Sequence, residues 1–377
     1  MKTLAYTLTF LTPAFLGDAE QSGRWRTPPV KALLRQWWRV VYAADHGFAV
    51  DVDAMRREEG LLFGNAWLSH RENGREISDH RKSLVRLRLD KWKPGELTSW
   101  NGLEQPTITH PEVERTKYKV GPHAYLGYGP LDGRSGTRLN EKVKTVVNVG
   151  EGATLSLAMP DGDAPRIQRA LWLMDRYGTL GGRSRNGWGS FTLTPINETP
   201  QLDGQVPLRE WKDCLDRDWP HAIGKDKNGP LIWQTAEIYD DWKSLMRDLA
   251  IIKIGLRTQR PAFELTLNKA AKDEELINKK TGERRGINHG APQARHWLSY
   301  PVTNHTVRPW GNNARLPNQI RFKVRRAPDG KLFGVIFHMP CLPPPEFSPD
   351  VQAIKHVWER VHAFLDAPAQ QLTRIQE

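Results

Sequence analysis

Cysteine is almost missing from this chain of 377 residues; Cys214 and Cys341 are the only two. They lie far apart with no C-x-x-C spacing, which excludes a disulfide framework and a cysteine-based zinc site and points to a reducing cytoplasm. No apolar run is long enough to span a bilayer. The opening segment has the apolar content of a signal peptide, but Leu4, Tyr6, Leu8 and Phe10 alternate with Ala5, Thr7 and Thr9. That is the period of a strand, and no A-x-A cleavage site follows. Low-complexity tracts are also missing. Negative charge is scarce: 43 Asp and Glu face 55 Lys and Arg, a formal net charge of +12. The sequence therefore predicts a soluble cytoplasmic protein with no membrane contact and an anionic partner, nucleic acid foremost. With 38% hydrophobic and 26% charged residues, the chain can bury a core and is not disordered at large. Fifteen tryptophans is a high number, and among Arg and Lys they offer stacking platforms for bases as well as core.

The densest signal is the run Gly181-Gly182-Arg183-Ser184-Arg185-Asn186-Gly187-Trp188-Gly189-Ser190-Phe191, directly after a helical pattern from Pro165 to Tyr177. Glycines let a loop take positive φ and bring backbone N–H groups close to a ligand. Arginines add forked donors that match a phosphate. The glycine order is not G-x-G-x-x-G and no Gly-Lys-Ser/Thr follows, so neither a dinucleotide site nor a P-loop fits. A phosphate-bearing partner remains, as does an ordinary structural turn.

A first strand ends at Thr12-Pro13, and Thr27-Pro28-Pro29 reads as an N-cap followed by proline in the first turn of a helix to about Ala44. Val30, Leu33, Leu34, Trp37 and Val41 share one face of it. Lys31, Arg35 and Arg39 form a basic stripe on another, and Arg24 and Arg26 enter the same end. Further strands are expected over 84–90, 143–149, 153–158 and 191–193, with a long loop over 121–140 carrying Arg134 and Arg138. The first half thus reads β-α-β…β-α-β. Residues 195–208 mix Pro, Asn, Asp and Gly and mark a linker. Beyond it come a helix over 239–254, a hairpin of 320–325 and 332–338 around Pro328-Asp329-Gly330, and a last helix capped at Ser348-Pro349. The expected fold is α+β: two ferredoxin-like (RRM-like) βαββαβ domains, 1–200 and 201–377, with long loop insertions. On the second hairpin Arg321, Lys323 and Arg325 alternate as a charged face, which suits solvent, an acidic neighbour or an RNA groove.

Chemistry is sparse. His46, His110, His123, His289, His296, His305 and His338 show no ligand or dyad spacing, and no zinc ligand set or Gly-x-Ser-x-Gly context exists. No metal or cofactor is expected.

Several segments together resemble the RAMP superfamily of CRISPR-associated proteins. They are Phe10-Leu11-Thr12-Pro13-Ala14-Phe15-Leu16-Gly17, the proline-initiated helix running into Trp37-Trp38-Arg39, Leu62-Phe63-Gly64-Asn65, and the loop at 181–191. Within that superfamily the likeness is to the first-subunit family of the type III-B (Cmr) effector complex, over about residues 1–195. The second half rests on Arg315-Leu316-Pro317-Asn318-Gln319-Ile320 and the hairpin after it. The resemblance implies a non-catalytic subunit that helps hold a CRISPR guide RNA and complementary target RNA, with other Cmr RAMP subunits as partners. It implies RNA-backbone contacts at Arg24, Arg26, Lys31, Arg35 and Arg39, and at Gly181, Gly182, Arg183, Ser184, Arg185, Asn186 and Trp188. Related backbone subunits that cut RNA carry an acid in the loop before the first helix, where Asp18 stands here; Asp18 also suits a turn cap or a partner for Arg24 or Arg26. An endoribonuclease and a pure protein scaffold of the same complex are the alternatives.

Overall fold

The computed structural model describes residues 1–112, 120–133 and 136–376; the expected loop cation Arg134 lies outside them. Strand β1 (Lys2–Phe10) buries Leu4, Tyr6, Leu8 and Phe10 and turns Thr3, Ala5, Thr7 and Thr9 to the other face, as the alternation predicts. Helix α1 (Thr27–Asp45) takes in the expected cap, Thr27, as its first residue. Arg26 holds the extended cap position without a side-chain bond, and Thr27 is already helical. Proline in the first turn supplies the start instead, because its φ is preset and it has no N–H to satisfy. Helix α2 (Val52–Phe63) follows, capped by Asp51, whose Oδ1 accepts from the backbone N–H groups of Asp53 and Ala54 at 2.9 and 3.1 Å.

Strand β2 (Arg86–Leu89) is the inner part of the expected 84–90 segment. A short helix α3 (Pro122–Gly127) breaks the long loop. The strand expected over 143–149 does not form. Val146 bridges Leu97 while Val147 bridges Ala14, so adjacent residues pair with different segments and no ladder extends. Strand β3 (Gly152–Met159), helix α4 (Ala164–Tyr177) and strand β4 (Phe191–Pro195) complete the first half. Its sheet is antiparallel throughout, in the order β2-β3-β1-β4. Helices α1 and α4 pack together over its apolar face.

The second half repeats this plan. Strand β5 (Ile232–Thr235), helix α5 (Trp242–Arg257), strands β6 (Ile320–Arg326) and β7 (Leu332–His338), helix α6 (Val351–Asp366) and strand β8 (Leu372–Arg374) form an antiparallel sheet ordered β6-β7-β5-β8. Helix α5 begins after residue 239 because Asp241 caps it, and Tyr239 bridges Leu332 instead. Helix α6 is capped not by Ser348-Pro349 but by Asp350, which accepts from Gln352 N and Ala353 N at 3.0 Å.

Apolar packing runs across both halves. Phe333, Val335 and Phe337 of β7 join the core of the first sheet, and Phe15, Trp100 and Trp188 join that of the second. Most tryptophans are in these cores; Trp67 and Trp92 stand out at 51% and 58% exposure. Among the described residues no helix is long and apolar enough to cross a membrane.

Candidate nucleic-acid interface

The glycine loop between α4 and β4 leaves Gly181, Gly182 and Arg183 exposed and buries residues 187–190. Gly181 and Gly189 take φ of 98° and 67°. A Cβ on Gly189 would meet Leu180 O at 1.8 Å, and one on Gly181 would meet Phe15 O at 2.7 Å. Close backbone approach, more than ligand access, therefore requires glycine here. Several loop N–H groups bond within the protein: Gly182 N donates to Phe15 O at 2.8 Å, Gly187 N to Ser184 O at 3.0 Å and Gly189 N to Pro13 O at 2.9 Å. Thr12 Oγ1 donates to Gly187 O and accepts from Ser190 N, at 2.8 and 2.9 Å. This corrects the expected backbone cradle at Gly182, whose N–H is already engaged. Thr12 thereby joins the β1–α1 segment to the loop.

Two further loop residues, Trp188 and Asn186, differ from expectation. Trp188 is fully buried, with Phe15 at 5.3 Å, Trp100 at 5.6 Å and Trp242 at 5.9 Å between ring centroids, so no base can stack on it. Asn186 is a structural strut: its Nδ2 donates to Leu126 O at 2.6 Å and its Oδ1 accepts from Lys253 Nζ. Ser184 contributes its carbonyl to Thr179 Oγ1 at 3.0 Å. The loop also seats β6: Phe322 N donates to Arg185 O at 3.0 Å and Val324 N to Ser190 Oγ at 2.9 Å.

The α1 stripe has partners of its own. Glu59 of α2, only 4% exposed, accepts from Arg35 Nε and Arg39 Nε at 2.7 Å each, and from Arg39 Nη2 at 2.8 Å. Lys31 Nζ donates to Phe63 O at 2.8 Å, and burial, then the charge of Arg35, lowers its pKa. Asp18 closes its own turn, accepting from Glu20 N and Ser22 N at 3.1 and 2.9 Å, and pairs with Arg24 at 3.3 Å. Arg26 Nη2 donates to Gly17 O. These cations brace the β1–α1 loop and α2, and Glu59 and Asp18 offset much of their charge.

Where the glycine loop meets β6 and α5 the balance is different. Arg183 and Arg257 lie by Lys253, and Arg185 lies by Arg321; among the described residues none of the five forms a salt bridge with a carboxylate. Burial lowers the Arg185 pKa. Burial, then the charge of Arg185, lowers Arg321 to about 9. Burial, then Arg257 and Arg183, holds Lys253 well below the ordinary lysine range. Lys253 and Arg257 escaped the sequence reading, which took Arg321 only as part of an alternating strand face, because these residues lie on different elements.

The Arg321/Lys323/Arg325 face does not stand free in solvent. Lys323 is fully buried against the first half, donating to Gly178 O and Phe191 O at 2.6 and 2.7 Å. Arg325 lies over the Phe333 ring. Nor are the histidines all scattered. His289 Nδ1 lies 2.8 Å from Asp273 Oδ2, its Nε2 3.1 Å from His305 Nδ1, and its ring centroid 4.9 Å from that of His296. Spacing hid this group because three separate strands and turns bring it together. Burial lowers His296 to about 3 and His305 to about 4, so both are neutral at pH 7. Among the described residues no group of three or more His, Cys, Asp or Glu side chains could hold a metal ion.

Residues 7–192 match the family model of the RAMP superfamily. This part of the chain is similar to the RAMP superfamily. The RAMP match spans β1 through β4, with both α1 and the glycine loop inside it. Among solved structures, the chain is similar to apo Cmr1 from Pyrococcus furiosus, with 14% identity, TM-score 0.46, and coverage of 96% of this chain and 97% of that one. It is also similar to a chain of type III-B Cmr-beta bound to cognate target RNA, with 11% identity, TM-score 0.42, and coverage of 96% and 99%. No curated protein matches the sequence.

Proposed function

We propose that this protein is a non-catalytic RNA-binding subunit of a type III-B (Cmr) CRISPR effector complex. It holds guide RNA, target RNA or both through backbone contacts in antiviral defence, beside other Cmr RAMP subunits. The supporting observation is a pair of cation groups at the glycine loop, Arg183 and Arg257 by Lys253 and Arg185 by Arg321, with no salt bridge to a carboxylate among the described residues. Partly desolvated cations without acids attract a counterion, and a phosphodiester chain supplies one at every nucleotide. Phosphate contacts set register and orientation and carry no sequence, so base pairing between guide and target would supply specificity. The architecture fits two ferredoxin-like units, 1–200 and 201–377, since both sheets follow strand-helix-strand-strand-helix-strand with the same spatial order. A non-catalytic role fits Asp18, whose carboxylate is engaged with its own turn and Arg24.

Fluorescence anisotropy with labelled single-stranded RNA at several salt concentrations tests the reading. Arg183→Ala with Arg185→Ala should weaken binding uniformly across sequences and reduce the log Kd–log salt slope by about 1–2. Unchanged affinity and slope would remove the loop from the interface. Specific cleavage of the RNA in Mg²⁺, abolished by Asp18→Ala, would replace the non-catalytic role with an endoribonuclease.

A further inference from the structure

We infer that Arg185 and Arg321 form a two-armed pocket for a single phosphate at the seam between the glycine loop and β6. The backbone sets them side by side. Asn186 and Phe322 form a parallel bridge, Phe322 N donates to Arg185 O at 3.0 Å, and each arginine immediately precedes one of the bridged residues. Neither guanidinium has a hydrogen-bond or ion-pair partner among the described residues. Both side chains are half-buried, and the Arg321 Nε is sealed from solvent with nothing to donate to. Asp218 is felt by the Cys341 thiol, and among the described residues it pairs with neither arginine. Cys341 itself is held by Gln319, which donates to its carbonyl at 2.7 Å and accepts from its N–H at 3.1 Å.

Two like charges beside each other, partly desolvated and without an acid, repel in the empty protein. A tetrahedral oxyanion relieves that repulsion and takes forked donors from both sides. A carboxylate would satisfy one fork; a phosphate has enough oxygens for two. The chemistry is that of a phosphodiester of an RNA backbone, and inorganic phosphate carries the same recognition element. The RNA assignment rests on the function proposed above, whereas the phosphate pocket does not.

The test has two arms on the full chain. In the first, inorganic phosphate is titrated in a thermal-unfolding assay against sodium chloride of equal ionic strength. Wild-type Tm should rise saturably with phosphate, and Arg321→Gln should lose that rise while keeping its phosphate-free Tm. In the second, Arg321→Gln should weaken binding of a labelled oligouridine about tenfold and lower the salt slope by about 1. Arg321→Lys, with charge but no fork, should fall between. Arg185→Gln repeats both arms should the Arg321 variant fail to fold. A phosphate response that depends on Arg321 in a protein that ignores RNA keeps the pocket and removes the RNA reading. RNA binding and phosphate response both unchanged in the two variants would overturn the pocket and leave RNA binding to other residues. A drop in the phosphate-free Tm of both variants, with no phosphate effect on wild type, would likewise overturn it by making the arginines structural.

Discussion

Glu59 accepts from Arg35 and Arg39 at once, and those arginine side chains keep 36% and 38% exposure. Glu59→Ala would leave two guanidiniums facing a cavity without their acid. Full burial of such a pair makes removal of one partner cost about 3–5 kcal/mol; partial exposure here lowers the expected loss to about 1–3 kcal/mol, read by urea denaturation. Trp188 gives a cleaner case. Fully enclosed by Phe15, Trp100 and Trp242, it should cost about 3–5 kcal/mol on change to Ala, and much less on change to Phe. If instead Trp188→Phe keeps stability but abolishes RNA binding, Trp188 is a ligand residue after all. At this scale the sequence conveyed residue type but not partner: Arg35 and Glu59 are 24 positions apart, and nothing in either segment alone announces the pair.

Strand β6 shows what happens when an element with an alternating charged face is docked on both sides. Lys323 lies in the seam, where burial lowers its pKa to about 7 from an ordinary 10.5, with Asp175 opposing the shift. Between those two values the unfolded chain binds a proton that the folded chain does not, so this group makes stability rise with pH across that window. Below about pH 7 its full destabilising effect is present. Lys323→Met should therefore flatten the pH dependence of denaturant stability between about pH 7 and 10 relative to wild type; parallel curves for the two proteins would place Lys323 in a solvated environment. Elsewhere element ends follow local chemistry. Asp350 caps α6, and Asp350→Ala should cost about 1 kcal/mol with a matching loss of helical signal at the transition.

For the whole molecule, the two sheets share one connectivity, each half lends residues to the other's core, and the glycine loop ties them through Phe322 and Val324. RNA binding, if it occurs at this seam, depends on both halves being present and docked. Sequencing of RNA copurified with the tagged protein from its native host tests the assembly reading. Short RNAs with a shared CRISPR-repeat-derived 5′ tag, together with companion RAMP subunits, are expected. Heterogeneous RNA, or none, with no companions would remove the complex from its function.

The sequence by itself determined the principal strands and helices, because period-2 and period-3.6 patterns and proline starts are local. It pointed to the α+β class, the RAMP segments and the importance of the 181–191 loop for the same reason. Only tertiary structure decided which charges are neutralised and which glycines serve packing. Glu59 and Asp18 take up cations that read as free, the loop spends N–H groups on Phe15 and Pro13, and Arg321 arrives beside Arg185 from a strand over a hundred residues away. Electrostatics depends on distance in space, and a sequence records distance only along the chain.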